Sequence, residues 1–304
     1  MRAVAFGAIG ADPSLVEVPT PVPGPGEVLV RVEAASVNGF DLATIGGMFQ
    51  GIFEYKFPVV LGKDFAGTVE VTGEGVTRVA PGAAIFGVVA KPVLADGGFA
   101  EYLVIPEQGP WTTVPDGLEL QKAAALGLAG AAAQTAIDAL GLSSGETLLV
   151  SGATGGVGAY AVQLANDLGA VVIATARPGE EETFVRGLGA RHVVDHTADL
   201  DAQVRQIAPD GVAAVLHLAG DGPQLAALRS AKGRLVSTLN FAPDESATAI
   251  LAQPDPGTLD RLALAAAGGR LRVPVQRTYT LDEAPRAIGD FAAGTLGKLV
   301  VVTG

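Results

Sequence analysis

The stretch Thr147 to Leu168, TLLVSGATGGVGAYAVQLANDL, constrains the fold of this chain more than any other. A short apolar, β-favouring run enters a glycine turn, and an apolar helical pattern follows at once. Inside the turn Ala153, Gly155 and Gly158 are spaced A-x-G-x-x-G, with Thr154, Gly156 and Val157 completing it. Small residues at that spacing allow a tight turn, a close approach of the backbone to a pyrophosphate, and close packing of helix on strand. The helix start adds free N–H groups and partial positive charge for the phosphates. With 41 glycines in 304 residues, the spacing alone is equally a structural turn. The strand before it and the helix after it point instead to a dinucleotide seat.

The rhythm continues downstream. VVIAT, HVV, AAVLHL and RLVST read as strands, alternating with helical patterns near 180–188 and 199–207. Strands alternating with helices predict a parallel, doubly wound sheet. A further helical pattern at 258–267 leads into LRVPV, then a helix at 282–293 and the strand KLVVVTG. Upstream, VLVRVEAASV, AGTVEVTGEGV, AAIFGVV and FAEYLVI are short apolar runs punctuated by Gly and Pro, which predicts a β-rich unit. Ala123 to Leu142 is rich in Ala and Gly but carries Gln134 and Asp138, a poor membrane span and better one or two buried helices.

In such a sheet the end of the second strand reads the cofactor ribose, and an acid there selects the 2′-hydroxyl of NAD. The sequence here, VIATARPGEEE, ends its strand at Thr175 and Ala176 without an acid, and Arg177 follows. A guanidinium at that position suits a 2′-phosphate and so predicts NADPH. The acidic run Glu180 to Glu182 argues the other way, with Arg177 as a solvated arginine offsetting it. His217 and Gly220, at the end of AAVLHLAG, and Asn240, at the end of the last strand of this unit, are further candidates for the cofactor face, His217 being equally a satisfied core histidine.

Composition removes whole classes of function. A formal net charge of −12 argues against a phosphate-binding surface for nucleic acid. The chain has no cysteine, which excludes disulfides, thiolate catalysis and cysteine-ligated metal. MRAVAFGAIG lacks the apolar core of a secretory signal, so a cytoplasmic location is expected.

Together, SVNGFD at 36–41, LGKDFAGTVEVTGEGV at 61–76, SGATGGVG at 151–158, LGARHVVDH at 188–196 and the terminal GKLVVV resemble the medium-chain dehydrogenase/reductase superfamily, in its zinc-free quinone oxidoreductase branch. The resemblance implies an α/β chain. A GroES-like β-rich catalytic domain would comprise residues 1–121 and 268–304, and a Rossmann domain with a doubly wound parallel sheet residues 122–267. It further implies a nicotinamide held in a cleft between the two, and a homodimer. Zinc-dependent members hold their metal through a cysteine and a histidine in the first two motifs, where this chain has Asn38 and Lys63. No metal is therefore expected, and hydride transfer to a quinone or an α,β-unsaturated carbonyl remains.

The resemblance places Asn38 and Asp41 near the nicotinamide, with Asn38 as amide donor or acceptor, Lys63 as the cation stabilising an enolate, and Asp64 as a loop-orienting carboxylate. The plainer reading of Asn38 and Asp41 is helix capping, and that of Lys63 and Asp64 an ion pair. Phe40 and Tyr55 are candidates for the acceptor pocket, and Trp111 for either pocket or core. His196 stands where relatives grip the 2′-phosphate with a tyrosine, and Glu181 where they use a lysine. Ala43 and Ala132 replace a hydrogen-bonding tyrosine and threonine of the family. Those losses keep two other readings open: a dinucleotide-binding sensor or scaffold with little turnover, and an enoyl reductase for a bulky or carrier-bound intermediate.

Overall fold

The computed structural model describes residues 1–304 and divides into two compact units, Met1–Leu128 with Pro254–Gly304, and Ala129–Gln253. Each is described by itself.

In the central unit six strands form one sheet, in the order His192–Val194, Val171–Thr175, Thr147–Ser151, Val212–His217, Arg229–Ser237, Ala247–Ala249. Every neighbouring pair is parallel. Parallel neighbours need crossovers, and the helices Gly156–Asp167, Glu180–Arg186, Leu200–Ile207 and Gly222–Ala227 supply four of them. The sheet is covered on both faces, so Leu148, Leu149 and Val150 are fully buried in succession, as are Val172, Ile173 and Ala174. Two helix starts are capped by aspartates, Asp199 accepting from the Ala202 N–H at 3.0 Å and Asp221 from the Gln224 N–H at 2.7 Å. The chain leaves the Thr147 strand toward one edge and later returns beside it with the Val212 strand. That reversal opens a crevice at the carboxyl ends of these two strands, where Ser151 and His217 are register partners.

The other unit is built on a sheet in the order Trp111–Thr113, Ala84–Val88, Asp64–Thr72, Glu27–Ser36, Lys298–Val302, Val275–Thr280, with Tyr102–Pro106 also paired to the Glu27 strand. Smaller sheets join Ser14–Glu17, Arg2–Phe6 and Val59–Val60, and Glu54–Tyr55 with Val93–Leu94. Val28, Val30, Val32, Phe65, Ile85 and Trp111 belong to one buried cluster. Trp111 is core: its ring is 1% exposed, its Nε1–H donates to the Pro106 carbonyl at 2.9 Å, and the Arg78 guanidinium lies 3.8 Å from the ring centroid.

The units divide at 128/129 and 253/254, against 121/122 and 267/268 expected. The helix Pro256–Ala267 packs on the Trp111 strand and so goes with the β-rich unit. The apolar run LRVPV is mostly not strand. Pro274 has no N–H to give a ladder, and the strand starts at Val275 and runs to Thr280. Residues 120–140 form a single helix, long and apolar enough by length to cross a membrane, yet mostly buried.

Candidate functional site

In the β-rich unit the Glu27 strand runs through Val37 into the helix Gly39–Ile45, with extended Asn38 at its N-cap. Asp41, 2% exposed, uses both carboxylate oxygens: Oδ2 accepts the Asn38 N–H at 2.8 Å and Oδ1 the Gly62 N–H at 2.9 Å. It therefore caps its helix and holds the turn that precedes Lys63. Gly62 has φ +94°, and a Cβ there would lie 2.5 Å from the Phe99 nitrogen, so the turn requires glycine. Burial pushes the Asp41 carboxyl up to about 6, against the two backbone bonds that favour its charged form.

Asp64 is fully buried. Its Oδ2 accepts Ser36 Oγ–H at 2.5 Å and Asn38 Nδ2–H at 2.8 Å, and its Oδ1 accepts the Leu128 N–H at 2.6 Å. That last bond requires close backbone approach, since a Cβ on Gly127 would stand 2.3 Å from Asp64 Oδ1. Lys298, 2% exposed, completes the cluster: Nζ donates to Asn38 Oδ1 at 2.7 Å and to the Val37 carbonyl at 2.9 Å, and lies 3.7 Å from Asp64 Oδ2. Burial lowers its pKa, opposed by the Asp64 and Asp41 charges.

This bonding narrows the role expected of Asn38, donor or acceptor, to that of an acceptor. An ammonium can only donate and a carboxylate only accept, so Oδ1 must face Lys298 and Nδ2 must face Asp64. The second Nδ2 proton goes to the Ser36 carbonyl at 3.1 Å. Asn38 has no donor left for a nicotinamide or substrate carbonyl, and its Oδ1 already accepts from Lys298. The Lys63–Asp64 ion pair is likewise replaced, because Asp64 pairs with Lys298.

Lys63 is half-buried and has no carboxylate within ion-pair distance. Its Nζ sits 4.3 Å from the Phe40 ring centroid, and burial lowers its pKa against the pull of Asp41 and Asp64. Phe40, Asp41, Leu61, Lys63, Lys91 and Leu94 line a small cleft, in which Lys91 is neutralised by Asp96 at 2.6 Å. Phe40 stacks on Phe49 with centroids 4.5 Å apart. Tyr55 is not among the residues of the cleft. It packs against the buried cluster containing Val59, Leu61 and Phe99, with its hydroxyl enclosed and unbonded.

In the central unit the glycine turn has the geometry of a phosphate cradle. Gly152 has φ +81°, and its N–H donates to Thr175 Oγ1 at 3.0 Å, which ties the turn to the next strand. A Cβ on Gly158 would fall 2.2 Å from the Gly152 carbonyl oxygen, so only glycine lets the helix pack this closely. A Cβ on Gly155 would meet only that oxygen, at 3.7 Å, leaving open space where a pyrophosphate would approach. Thr154, Gly156 and Val157 are half-buried around the helix start, while Ala153 is fully buried beneath it. This open turn, backed by helix N–H groups, fits a dinucleotide.

Around the crevice His217 is 3% exposed and fully bonded, with Nε2 3.2 Å from the Gly220 carbonyl and Nδ1 3.0 Å from Ser237 Oγ. The carbonyl can only accept, so Nε2 carries the proton and Nδ1 accepts from the serine. Ser151 Oγ–H donates to the Ala219 carbonyl at 2.5 Å. His217 thus holds the Gly220 turn, with φ +88° at the glycine, rather than facing a ligand. Asn240 is the one non-glycine residue with positive φ, +54°, which an asparagine adopts at low cost.

At the end of the Val171 strand the acidic run takes up Arg177, the alternative that the sequence left open. Arg177 is engaged by Glu181: Nε and Nη2 donate to Oε1 at 2.7 and 2.5 Å, and the Arg177 backbone N–H donates to Oε2 at 2.7 Å. His196 Nε2 lies 3.9 Å from the same carboxylate. Thr175 Oγ1 accepts the Gly152 N–H. Sequence reasoning passed over Lys298 and Ser36, although a lysine heading the apolar run KLVVV, in a strand fated for burial, was the available signal.

Two family descriptions match the chain, the alcohol dehydrogenase GroES-like domain over residues 24–116 and the zinc-binding dehydrogenase over 156–239. A chloroplastic quinone oxidoreductase of Triphysaria versicolor is 34% identical over 73% of this chain and 69% of its own length. Among solved structures, the quinone oxidoreductase of Coxiella burnetii superposes with a TM-score of 0.87 at 27% identity, over 100% of this chain and 99% of that one. A mycobacterial protein solved in complex with NADPH superposes with a TM-score of 0.86 at 26% identity, over 99% of both. With a GroES-like unit, a dinucleotide-binding unit and these relatives, the chain belongs to the medium-chain dehydrogenase/reductase superfamily, in its quinone oxidoreductase branch, and is a nicotinamide-dependent oxidoreductase.

Proposed function

We propose that the protein is an NADPH-dependent, zinc-independent reductase of quinones or α,β-unsaturated carbonyls. The observation that carries this reading is Lys63, an ammonium without a carboxylate partner, held in a cleft beside the Phe40 ring. An acceptor that is already electron-poor needs positioning and a cation near its oxygen more than it needs a Lewis acid. In the relatives cited, both a quinone acceptor and NADPH occur.

Zinc independence is supported by the donor chemistry. The chain has no cysteine, and Asp41 and Asp64 already spend their oxygens on backbone N–H groups, Ser36, Asn38 and Lys298. NADPH is supported by the absence of an acid at the end of the Val171 strand and by the exposed Arg177 guanidinium, whose charge Glu181 offsets in part.

The bound nicotinamide supplies a hydride. The glycine turn at 152–158 would receive its pyrophosphate, and Gly220, whose turn His217 and Ser151 hold open, leaves room for the backbone to approach it. Lys63 would face the acceptor oxygen and stabilise the enolate or hydroquinone anion that forms as hydride arrives. Asn38, Asp41, Asp64 and Lys298 hold the backbone on either side of Lys63 without touching the reacting atoms.

The test is oxidation of NADPH and of NADH, followed by absorbance with a panel of quinones and enones. Acceptor-dependent loss of NADPH, faster than that of NADH, is expected. Tight cofactor binding without turnover of any acceptor would overturn the reductase reading.

A further inference from the structure

We propose that Glu181 sets the cofactor preference of the central unit, by compensating Arg177 internally and so weakening the pull of this site on a 2′-phosphate. The inference rests on the reading that the glycine turn of this unit seats a nicotinamide dinucleotide.

Arg177 leaves the carboxyl end of the Val171 strand, next to the strand that carries the turn. Its side chain is 63% exposed, whereas that of Glu181 is 15% exposed. The carboxylate binds both the guanidinium and the Arg177 backbone N–H, so side chain and backbone are fixed together. Asp195 adds a second carboxylate to this neighbourhood, turned toward Thr197. Arg177, Glu181 and Asp195 carry one positive and two negative charges.

Two ligands meet this arrangement differently. A ribose 2′-hydroxyl is uncharged and is not repelled by a carboxylate. A 2′-phosphate would have to use the remaining Nη1 edge of a guanidinium whose charge is already offset, with the Glu181 carboxylate beside it. A guanidinium freed of that carboxylate offers charge-assisted, two-pronged bonds to the phosphate. As built, the site therefore holds NADPH less tightly than Arg177 alone would predict, and Glu181 is the residue responsible.

The experiment measures Kd for NADPH and NADH, by titration calorimetry and by enhancement of reduced-nicotinamide fluorescence, on the full chain and on Glu181→Gln. Glutamine keeps the length and one carbonyl acceptor for Arg177 while removing the charge. NADPH should bind about tenfold tighter to the variant, the equivalent of one charge-assisted bond. NADH should change by no more than about twofold, since it brings no charge to the site. Glu181→Ala must move NADPH in the same direction, and the gain must shrink when Arg177→Ala is combined with either variant. Weaker NADPH binding, or equal shifts for both cofactors, would overturn the proposal and make Glu181 a support for the loop. Failure of the unaltered protein to bind either cofactor would instead remove the dinucleotide reading itself, and the proposal with it.

Discussion

Replacing Lys298 by methionine tests whether the buried cluster of the β-rich unit is held by charge. Lys298 Nζ stands 3.7 Å from Asp64 Oδ2 and donates to Asn38 Oδ1 and the Val37 carbonyl. At that separation an effective dielectric of about 20 gives roughly 4–5 kcal/mol of gross attraction, which the desolvation of two ions largely offsets. The pair as a whole therefore contributes little net stability. Removing one partner is a different matter. Methionine fills the volume but strands the Asp64 carboxylate and the Asn38 oxygen away from solvent, at a cost of about 3–5 kcal/mol. Trp111, the only tryptophan, lies in the same unit, so urea unfolding followed by its fluorescence reports the loss. The loss should shrink in the double variant Lys298→Met/Asp64→Asn, whose cost should fall short of the sum of the singles by at least about 1 kcal/mol. A single-variant loss below about 1 kcal/mol, or a double variant additive within about 0.5 kcal/mol, would refute the reasoning.

Asp41, with its carboxyl pushed up to about 6 from an ordinary 3.8, binds its proton more tightly folded than unfolded. The stability it adds is complete below about 3.8 and lost as pH rises through about 6, a swing of roughly 3 kcal/mol; Asp41→Asn should lack this component between pH 4 and 7 in parallel unfolding series. Gly158→Ala puts a Cβ 2.2 Å from a backbone oxygen, so it should cost about 1–3 kcal/mol and abolish dinucleotide binding, checked by thermal melting and by cofactor titration. Lys63→Met should lower kcat for enone or quinone reduction by about a hundredfold while leaving cofactor Kd unchanged, read by steady-state kinetics beside calorimetry. Equal turnover would remove Lys63 from the chemistry.

What could be read from sequence was what neighbouring residues specify. Each strand of the central unit carries its own apolar run, and each glycine of the turn its own steric reason, so Thr147–Ser151, Val171–Thr175 and His192–Val194 fall where periodicity put them. Arg177 and Glu181 stand four positions apart, so their pairing was visible as a spacing, though not that the carboxylate would also take the Arg177 backbone N–H. The strand at Val275 was displaced because an apolar pattern does not count ladder donors, and Pro274 lacks one.

The support of Lys63 was beyond such reading. Asn38 and Lys298 are 260 positions apart, and Asp64 is bonded both to Asn38 and to the N–H of Leu128. No window of sequence contains that set. The family resemblance put Asn38 at the nicotinamide, whereas here the fold spends its amide protons on Asp64 and the Ser36 carbonyl and its oxygen on Lys298. Lys63 is the opposite case. Asp64, its sequence neighbour and natural counter-ion, is taken by a lysine from the far end of the chain, and so Lys63 keeps its charge for the cleft. An ammonium left unpaired beside a cleft is therefore a consequence of the cluster beneath it. If Lys298→Met released Asp64 to pair with Lys63, the same substitution that weakens the fold would also quiet the site.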